Sequence, residues 1–307
     1  MLPSRTLESG GVAKRNIGIV FNERAPEAVA LSKRLGRQLR SSFGVWTTSA
    51  AEVLEARLPI EETQAVVTLG GDGTILRAMH VAAPQGVPLV GVNLGRVGFM
   101  TELHPDEAME KVPLYLNGKA WTEERMMVQA RVLPRSSGRR RAGQTHFGLN
   151  DAALGRTGVS RLVFVSVAVD GTPMATYAAD AVIIATPTGS TGYALSAGGP
   201  ILHPQARTFL IKPVAPQIAL NSAIVLHEGA VVSLSLGRDD QASLSVDGLM
   251  NVPLAEGDTL EVRASPHTAR FLRMGNPSYF YETLFQRLGY GKSLPPFERQ
   301  VSEERPG

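Results

Sequence analysis

Residues 65–77 read AVVTLGGDGTILR. Val66, Val67, Thr68 and Leu69 are apolar or β-branched without alternation, the pattern of a short strand buried on both faces. Gly70 and Gly71 permit the turn that follows, where a Cβ would crowd the backbone. Ile75, Leu76 and Met79 then fall at helical spacing, so the turn opens a helix. A strand entering a glycine turn and a helix N-terminus gathers unpaired N–H groups at one point. That point favours an anion, above all a phosphate. Asp72 stands in the middle of this cradle. A carboxylate is unwelcome beside phosphate unless it serves as an acid, a base or a metal ligand, which is a first sign of phosphoryl transfer. Glycine and aspartate also dominate ordinary turns, so these four letters alone leave a plain turn open. The stretch is neither the dinucleotide pattern G-x-G-x-x-G nor a P-loop, since no Lys-Ser/Thr follows the glycines.

To its N-terminal side, NIGIVFN (16–22) is a second buried strand. Pro26 starts a helix with Ala28, Leu31, Leu35 and Leu39 on one face. Gly44-Val45-Trp46 predicts a short strand, and residues 50–58 a helix. To its C-terminal side, VPLVGV (87–92) is another strand, and the glycine-rich NLGRVGFM follows. Strands alternating with helices imply right-handed crossovers and a parallel sheet. The loops at 70–73 and 93–99 would then share the rim at the strands' carboxyl ends, where such sheets bind ligands. After His104 the texture changes. A further helix is possible over 106–116, and from Arg125 short strands with regular turns, such as Val169-Asp170-Gly171-Thr172 and Asp247-Gly248, predict an all-β domain. The expected fold is therefore α/β followed by all-β. Its expected divisions are 1–104, 105–272 and a helical C-terminal segment, 273–307.

Composition narrows the class. The chain has 307 residues, 43% hydrophobic and 19% charged, ordinary for a globular protein of two domains. It has no cysteine, which excludes a disulfide, a thiolate nucleophile and a zinc–thiolate site. No apolar run approaches the roughly 18 residues of a membrane span, and MLPSRTLESGGVAKRN lacks a signal-peptide core. A cytoplasmic enzyme is expected. Of the net charge of +3, part is local: Arg135, Arg139, Arg140 and Arg141 share one polar segment. Without interleaved aromatics that segment reads as a solvated hairpin loop rather than a nucleic-acid patch.

Residues 185–201 read ATPTGSTGYALSAGGPI. Hydroxyls at Thr186, Thr188, Ser190, Thr191, Tyr193 and Ser196 crowd around four glycines. Such density suits a polar ligand with many hydrogen-bonding groups, such as a nucleotide. Tyr193, Ala194, Leu195 and Ile201 interrupt what would otherwise be a flexible linker.

GGDGT resembles the motif shared by NAD kinases, diacylglycerol and sphingosine kinases, and phosphofructokinases. With NLGRVGF (93–99), LNDAALGR (149–156) and the block from Asp180 to Pro200 it resembles the bacterial NAD kinases in particular. FYETLFQRLGYG (280–291) is similar to that family's C-terminal segment, and the likeness runs over residues 16–291. It implies an N-terminal parallel-sheet α/β domain, a C-terminal β-sandwich-like domain and a last segment packed back on the first. It also implies phosphorylation of the adenosine ribose 2′-hydroxyl of NAD by ATP, with Mg²⁺ arriving on the nucleotide and no all-protein metal site.

By position the resemblance makes Asp72 the general base and gives Gly71, Gly73 and Thr74 to the phosphates. Phe99 would flank the adenine, and Asn150 and Asp151 would hold the ribose hydroxyls. Thr191, Tyr193 and Ser196 would contact the dinucleotide. Asp180 would reach the nicotinamide side from a neighbouring subunit, which requires a homodimer or homotetramer. Two positions depart from the family: Ala178 where a cation is common, and Gln217 where His is frequent. A lipid kinase sharing GGDGT, or an NAD(H)-binding sensor without turnover, are the rival readings.

Overall fold

The computed structural model describes residues 15–95, 98–134, 143–158, 162–217, 221–237 and 241–287. Arg96 and Val97 of the second glycine loop, the arginine loop 135–141 and residues 288–291 lie outside these. The first layer runs β1 (Asn16–Phe21), α1 (Pro26–Leu39), β2 (Gly44–Ser49), β3 (Thr63–Gly70), α2 (Asp72–Ala82) and β4 (Leu89–Asn93). β1 pairs in parallel with β2 and β3, and β3 with β4. On one face Ile17, Ile19, Val67, Leu69 and Val90 pack against Leu31, Leu35 and Leu39 of α1. On the other, Val20, Val66 and Leu89 pack against Ile75, Ala78 and Met79 of α2. Cover on both faces is why these strands show no alternation.

The helix expected over 50–58 does not form. The Glu52 amide donates to Ser49 Oγ (3.3 Å) and the Ser49 hydroxyl to the Glu52 carboxylate (2.9 Å), as at a helix start. Only Ala50 and Val53 are buried there, so nothing holds a longer helix and the segment stays in turns. α3 (Ala108–Leu114) does form, and it buries Ala108 and Val112 in the same core as α1. The expected boundary at residue 104 therefore precedes a segment that packs with the first layer.

The rest is nearly all strand. β5 (Trp121–Leu133), β6 (Thr145–Gly148), β7 (Asp151–Arg156), β8 (Val163–Val169), β9 (Thr172–Ala179) and β10 (Ala181–Ala185) precede the short α4 (Tyr193–Ser196). β11 (Thr208–Val214), β12 (Ile224–His227), β13 (Val231–Leu236), β14 (Gln241–Val246), β15 (Met250–Ala255), β16 (Thr259–Arg273) and α5 (Tyr279–Arg287) complete the described chain. One antiparallel sheet has the order β12-β11-β10-β7-β14-β15. Its inner face, including Leu154, Ile184, Ile211 and Leu244, meets Val128, Val165, Leu234 and Val262 across a shared core. The architecture is thus a parallel-sheet α/β layer joined to a β-sandwich.

β16 makes the join. The sequence predicts a strand over 259–264. Instead a register shift against β5 between Ala264 and Thr268 takes Pro266 out of the ladder, and the strand runs on to Arg273. There Phe271 pairs in parallel with Leu89 of β4, so sandwich and parallel strands form one ten-stranded sheet.

Candidate active site

β3 ends at Gly70, and Gly71, in extended conformation, is the N-cap residue of α2, whose first residue is Asp72. A carboxylate there already faces the positive end of the helix dipole. It does not cap its own helix. It reaches across to the second glycine loop, where Phe99 N–H donates to Oδ2 (3.0 Å) and Met100 N–H to Oδ1 (3.2 Å). Gly98 makes this approach possible, because a Cβ there would stand 2.1 Å from Asp72 Oδ1. The carbonyls of the same two residues are held too: Arg125 Nη2 donates to that of Phe99 (3.2 Å) and Arg273 Nη1 to that of Met100 (3.0 Å).

Those two arginines are buried around Glu123, which takes Arg273 Nε at 2.8 Å and the Tyr279 hydroxyl at 2.9 Å. Burial alone would raise the Glu123 carboxyl, but the charges of Arg125 and Arg273 outweigh it and hold it below its ordinary value. Tyr279 opens α5, so the C-terminal helix is tied into the cluster that holds the loop. Beside Asp72, a cleft of about 550 Å³ is lined by Asn22, Arg24, Gly71, Gly73, Thr74 and Arg77. No atom lies within 4 Å of where a Cβ of Gly71 or Gly73 would be, so the turn's backbone faces open space.

The Leu149-Asn150-Asp151 segment is organised by a residue that the sequence marked only as a turn. Asp247, at φ 53°, accepts from the amides of Leu149 (2.8 Å), Asn150 (2.7 Å) and Asp151 (3.0 Å). Its Oδ2 also lies 3.0 Å from His80 Nε2, on the last turn of α2. Burial first, then the charge of Asp247, pushes the Asp151 carboxyl up to about 7. Asp-Gly reads as a hairpin signal in any sequence, and nothing local tells where its carboxylate points.

In the hydroxyl-rich block four of the hydroxyls bond to the backbone. Thr186 Oγ1 donates to the Leu149 carbonyl (2.6 Å) and accepts from Gly189 N–H (3.0 Å), while Ser190 Oγ donates to the Pro187 carbonyl (2.6 Å). Thr191 and Ser196 also donate to the backbone, to the carbonyls of Thr188 (3.0 Å) and Gly192 (3.4 Å). These hydroxyls build the turn itself. Its glycine at 189 is required by a close crossing, since a Cβ would lie 1.9 Å from the Asn150 carbonyl oxygen. Thr188 Oγ1, buried, makes no such hydrogen bond among the described residues, and Tyr193 is 46% exposed. Its hydroxyl is pushed up by burial of the ring's inner part and then by the charges of Asp180 and Asp151.

The structure thus brings Gly71, Gly73 and Thr74 to one cleft, with the Asp72 carboxylate next to it and turned toward the second glycine loop, and Asn150 and Asp151 to the foot of the hydroxyl block. Phe99 is 6% exposed, with Phe280 of α5 6.1 Å away between ring centres. Asp180 stands at the far end of β10 from Asp151, five strand residues or about 17 Å along. There it pairs with Arg156 Nε at 3.1 Å. Ala178 is 2% exposed, and its carbonyl accepts from Gln217 N–H at 2.8 Å, so the two departures from the family touch.

Two family profiles match the chain: the ATP-NAD kinase N-terminal domain over residues 51–120 and the ATP-NAD kinase C-terminal domain over 149–274. An NAD kinase of Dehalococcoides mccartyi is 38% identical over 276 residues, covering 89% of this chain and 96% of the relative. One from Chloroflexus aurantiacus is 37% identical over 277 residues, with 89% and 98% covered. Among solved structures, a yeast NADH kinase complexed with NADH superposes with a TM-score of 0.81 at 22% identity, covering 93% of this chain and 91% of that one. An NAD kinase from Archaeoglobus fulgidus in complex with ATP superposes at 0.70 and 24% identity, covering 89% and 98%. The two profiles in their expected order, and relatives this similar along nearly their whole length, show that the chain belongs to the NAD kinase family.

Proposed function

We propose that this chain transfers the γ-phosphoryl group of ATP to the adenosine ribose 2′-hydroxyl of NAD, releasing ADP and NADP. The observation that carries the reading is the Asp72 carboxylate, fixed at the head of α2 by two loop amides beside an open cleft. A carboxylate has about four lone-pair sites, so two remain to accept the hydroxyl proton as the ribose oxygen attacks phosphorus and the bond to the β-phosphate oxygen breaks. The donor's phosphates would lie over Gly71, Gly73 and Thr74, with Arg24 and Arg77 lining the same cleft. Asn150 and Asp151 would hold the ribose hydroxyls and Phe99 would flank the adenine. Thr191, Tyr193 and Ser196 would meet the rest of the dinucleotide. Catalysis here is positioning and charge stabilisation rather than covalent chemistry.

Among the described residues no three His, Asp or Glu side chains converge on a metal position. Mg²⁺ would come as the counter-ion of the triphosphate, offsetting its charge. Asp180 would serve the nicotinamide end of a neighbouring subunit's site, in a homodimer or homotetramer built through the β domain. No described helix is long and apolar enough to cross a membrane, and a cytoplasmic location is part of the proposal.

One assay tests the reaction. The protein is incubated with ATP, Mg²⁺ and either NAD or diacylglycerol, and NADP is the expected product. NAD binding without NADP formation would favour the sensor, and a phosphorylated lipid the lipid kinase. Light scattering that shows a fully active monomer would remove the shared site.

A further inference from the structure

The piece that carries Asp72 and the piece that carries Asn150-Asp151 share an apolar core through Met79 and Leu149, and they are also joined by a buried polar contact that neither motif contains. His80 and Asp247 side chains are 8% and 0% exposed, and they meet at 3.0 Å. Asp247 sits just past β14, held in a left-handed conformation that favours glycine over aspartate. Its two oxygens take three consecutive amides, those of residues 149, 150 and 151, and His80 supplies the fourth contact. A carboxylate only accepts, so the ring nitrogen facing it is the one that carries a proton. His80 lies on the same helix as Asp72, eight residues and about 12 Å along its axis. α2 therefore holds the second glycine loop at its first residue and the Asn150-Asp151 turn through its last turn.

We propose that His80 is a positioning residue: its contact with Asp247 sets where the Asn150-Asp151 turn stands relative to the Asp72 carboxylate. The proposal rests on the assignment of that turn to the NAD ribose. His80 touches no substrate. It acts through Asp247 on the amides of the turn, and so on the placement of the attacked hydroxyl. A small displacement there is costly, because transfer depends on near-attack geometry. If His80 were only filling space beside Met79 and Leu249, leucine would replace it without a selective effect.

The test compares His80→Leu with His80→Gln, whose amide nitrogen falls where the imidazole Nε2 does and donates as it does. His80→Leu should raise KM for NAD about tenfold, the loss expected for a hydrogen bond to a charged group. It should lower kcat as well, with KM for ATP within about twofold of wild type, since the phosphate cleft lies at the other end of α2. His80→Gln should restore both values. If the leucine variant does not fold, His80→Asn, too short to reach Asp247, takes its place. Hydrogen exchange supplies a readout that needs no turnover: the amides of residues 149–151 should exchange faster in His80→Leu than in His80→Gln. Equal exchange in the two variants, a parallel rise in both KM values or a glutamine variant no better than leucine overturns the proposal. A wild-type protein that makes no NADP overturns the ribose assignment instead, and the exchange result stands apart from it.

Discussion

The GGDGT turn and the hydroxyl block of residues 185–201 are both short, glycine-rich and built at strand ends, yet they are held in opposite ways. The turn is fixed from far off. Asp72 bonds to amides 27 and 28 residues along, and His80 contacts a carboxylate 167 residues away. Apart from one bond from Leu202 N–H to Ser190 Oγ and the anchors of Thr186 to residues 149–150, the block holds itself, with Thr186, Ser190, Thr191 and Ser196 each bonding three or four residues away. A residue in the first region thus owes its position to the whole fold, whereas a residue in the second owes it to its neighbours. Substitutions in the first should be felt in turnover ahead of stability.

Asp72→Asn is the largest break in that comparison. Asparagine keeps the size and tolerates the turn, but it takes up no proton and must turn an NH₂ toward either the Phe99 or the Met100 amide. Turnover should fall by roughly 10²- to 10⁴-fold, the range for loss of a general base, with modest change in NAD affinity. Kinetics are read beside calorimetric NAD binding and a melting curve, so that lost folding is not taken for lost chemistry. A stable variant with near-normal turnover would end the base assignment.

Asp151 stands at the seam, its amide on Asp247 and its carboxyl buried near the block. The folded chain raises its pKa from 3.8 to about 7, through burial and then the charge of Asp247. The native state therefore binds this proton more tightly than the unfolded chain. The contribution is fully present below about pH 4 and is lost as pH rises toward 7. That gap corresponds to at most about 4 kcal/mol. Asp151→Asn should flatten the fall in melting temperature between pH 4 and 7 and melt higher than wild type above it, while KM for NAD rises. Parallel pH curves for the two proteins would show that Asp151 is ionised throughout.

This difference in how the regions are held is also what decided legibility. The buried strand, the turn and the helix of residues 65–77 follow from local chemistry, and their reading matches β3 and α2. The long-range bonds left no local trace, so Asp247 reads only as a hairpin turn and nothing in the sequence singles out His80. The hydroxyl block was visible, but the spacing that made it look ligand-rich is also the spacing by which Ser190, Thr191 and Ser196 bond backbone carbonyls three or four residues back. Pro266 and the pair Lys212-Pro213 hid the length of β16 and the existence of β11. In the structure a bulge passes the first. In the second, Lys212 Nζ is buried on Asn221 Oδ1 at 2.8 Å, and burial lowers its pKa.

The smallest expected effects lie at the far edge of the β domain, where Ala178 and Gln217 replace the residues common in the family. The resemblance alone suggests that Ala178→Arg would restore a charge-assisted contact to the dinucleotide and lower KM for NAD. The burial argues otherwise. Ala178 is 2% exposed between Tyr177 and Ala179, both buried as well. A guanidinium there overpacks the end of β9, at about 1–3 kcal/mol. The variant should melt several degrees lower with KM for NAD no better than wild type. Gln217→His is milder, because the exposed side chain changes while the backbone N–H still donates to the Ala178 carbonyl at 2.8 Å. KM for NAD should move by less than about threefold, within the range of an exposed hydrogen bond. If Ala178→Arg instead keeps its melting temperature and binds NAD more tightly, the end of β9 opens readily enough to seat the cation. This edge would then be held as loosely from outside as the hydroxyl block is held firmly from within.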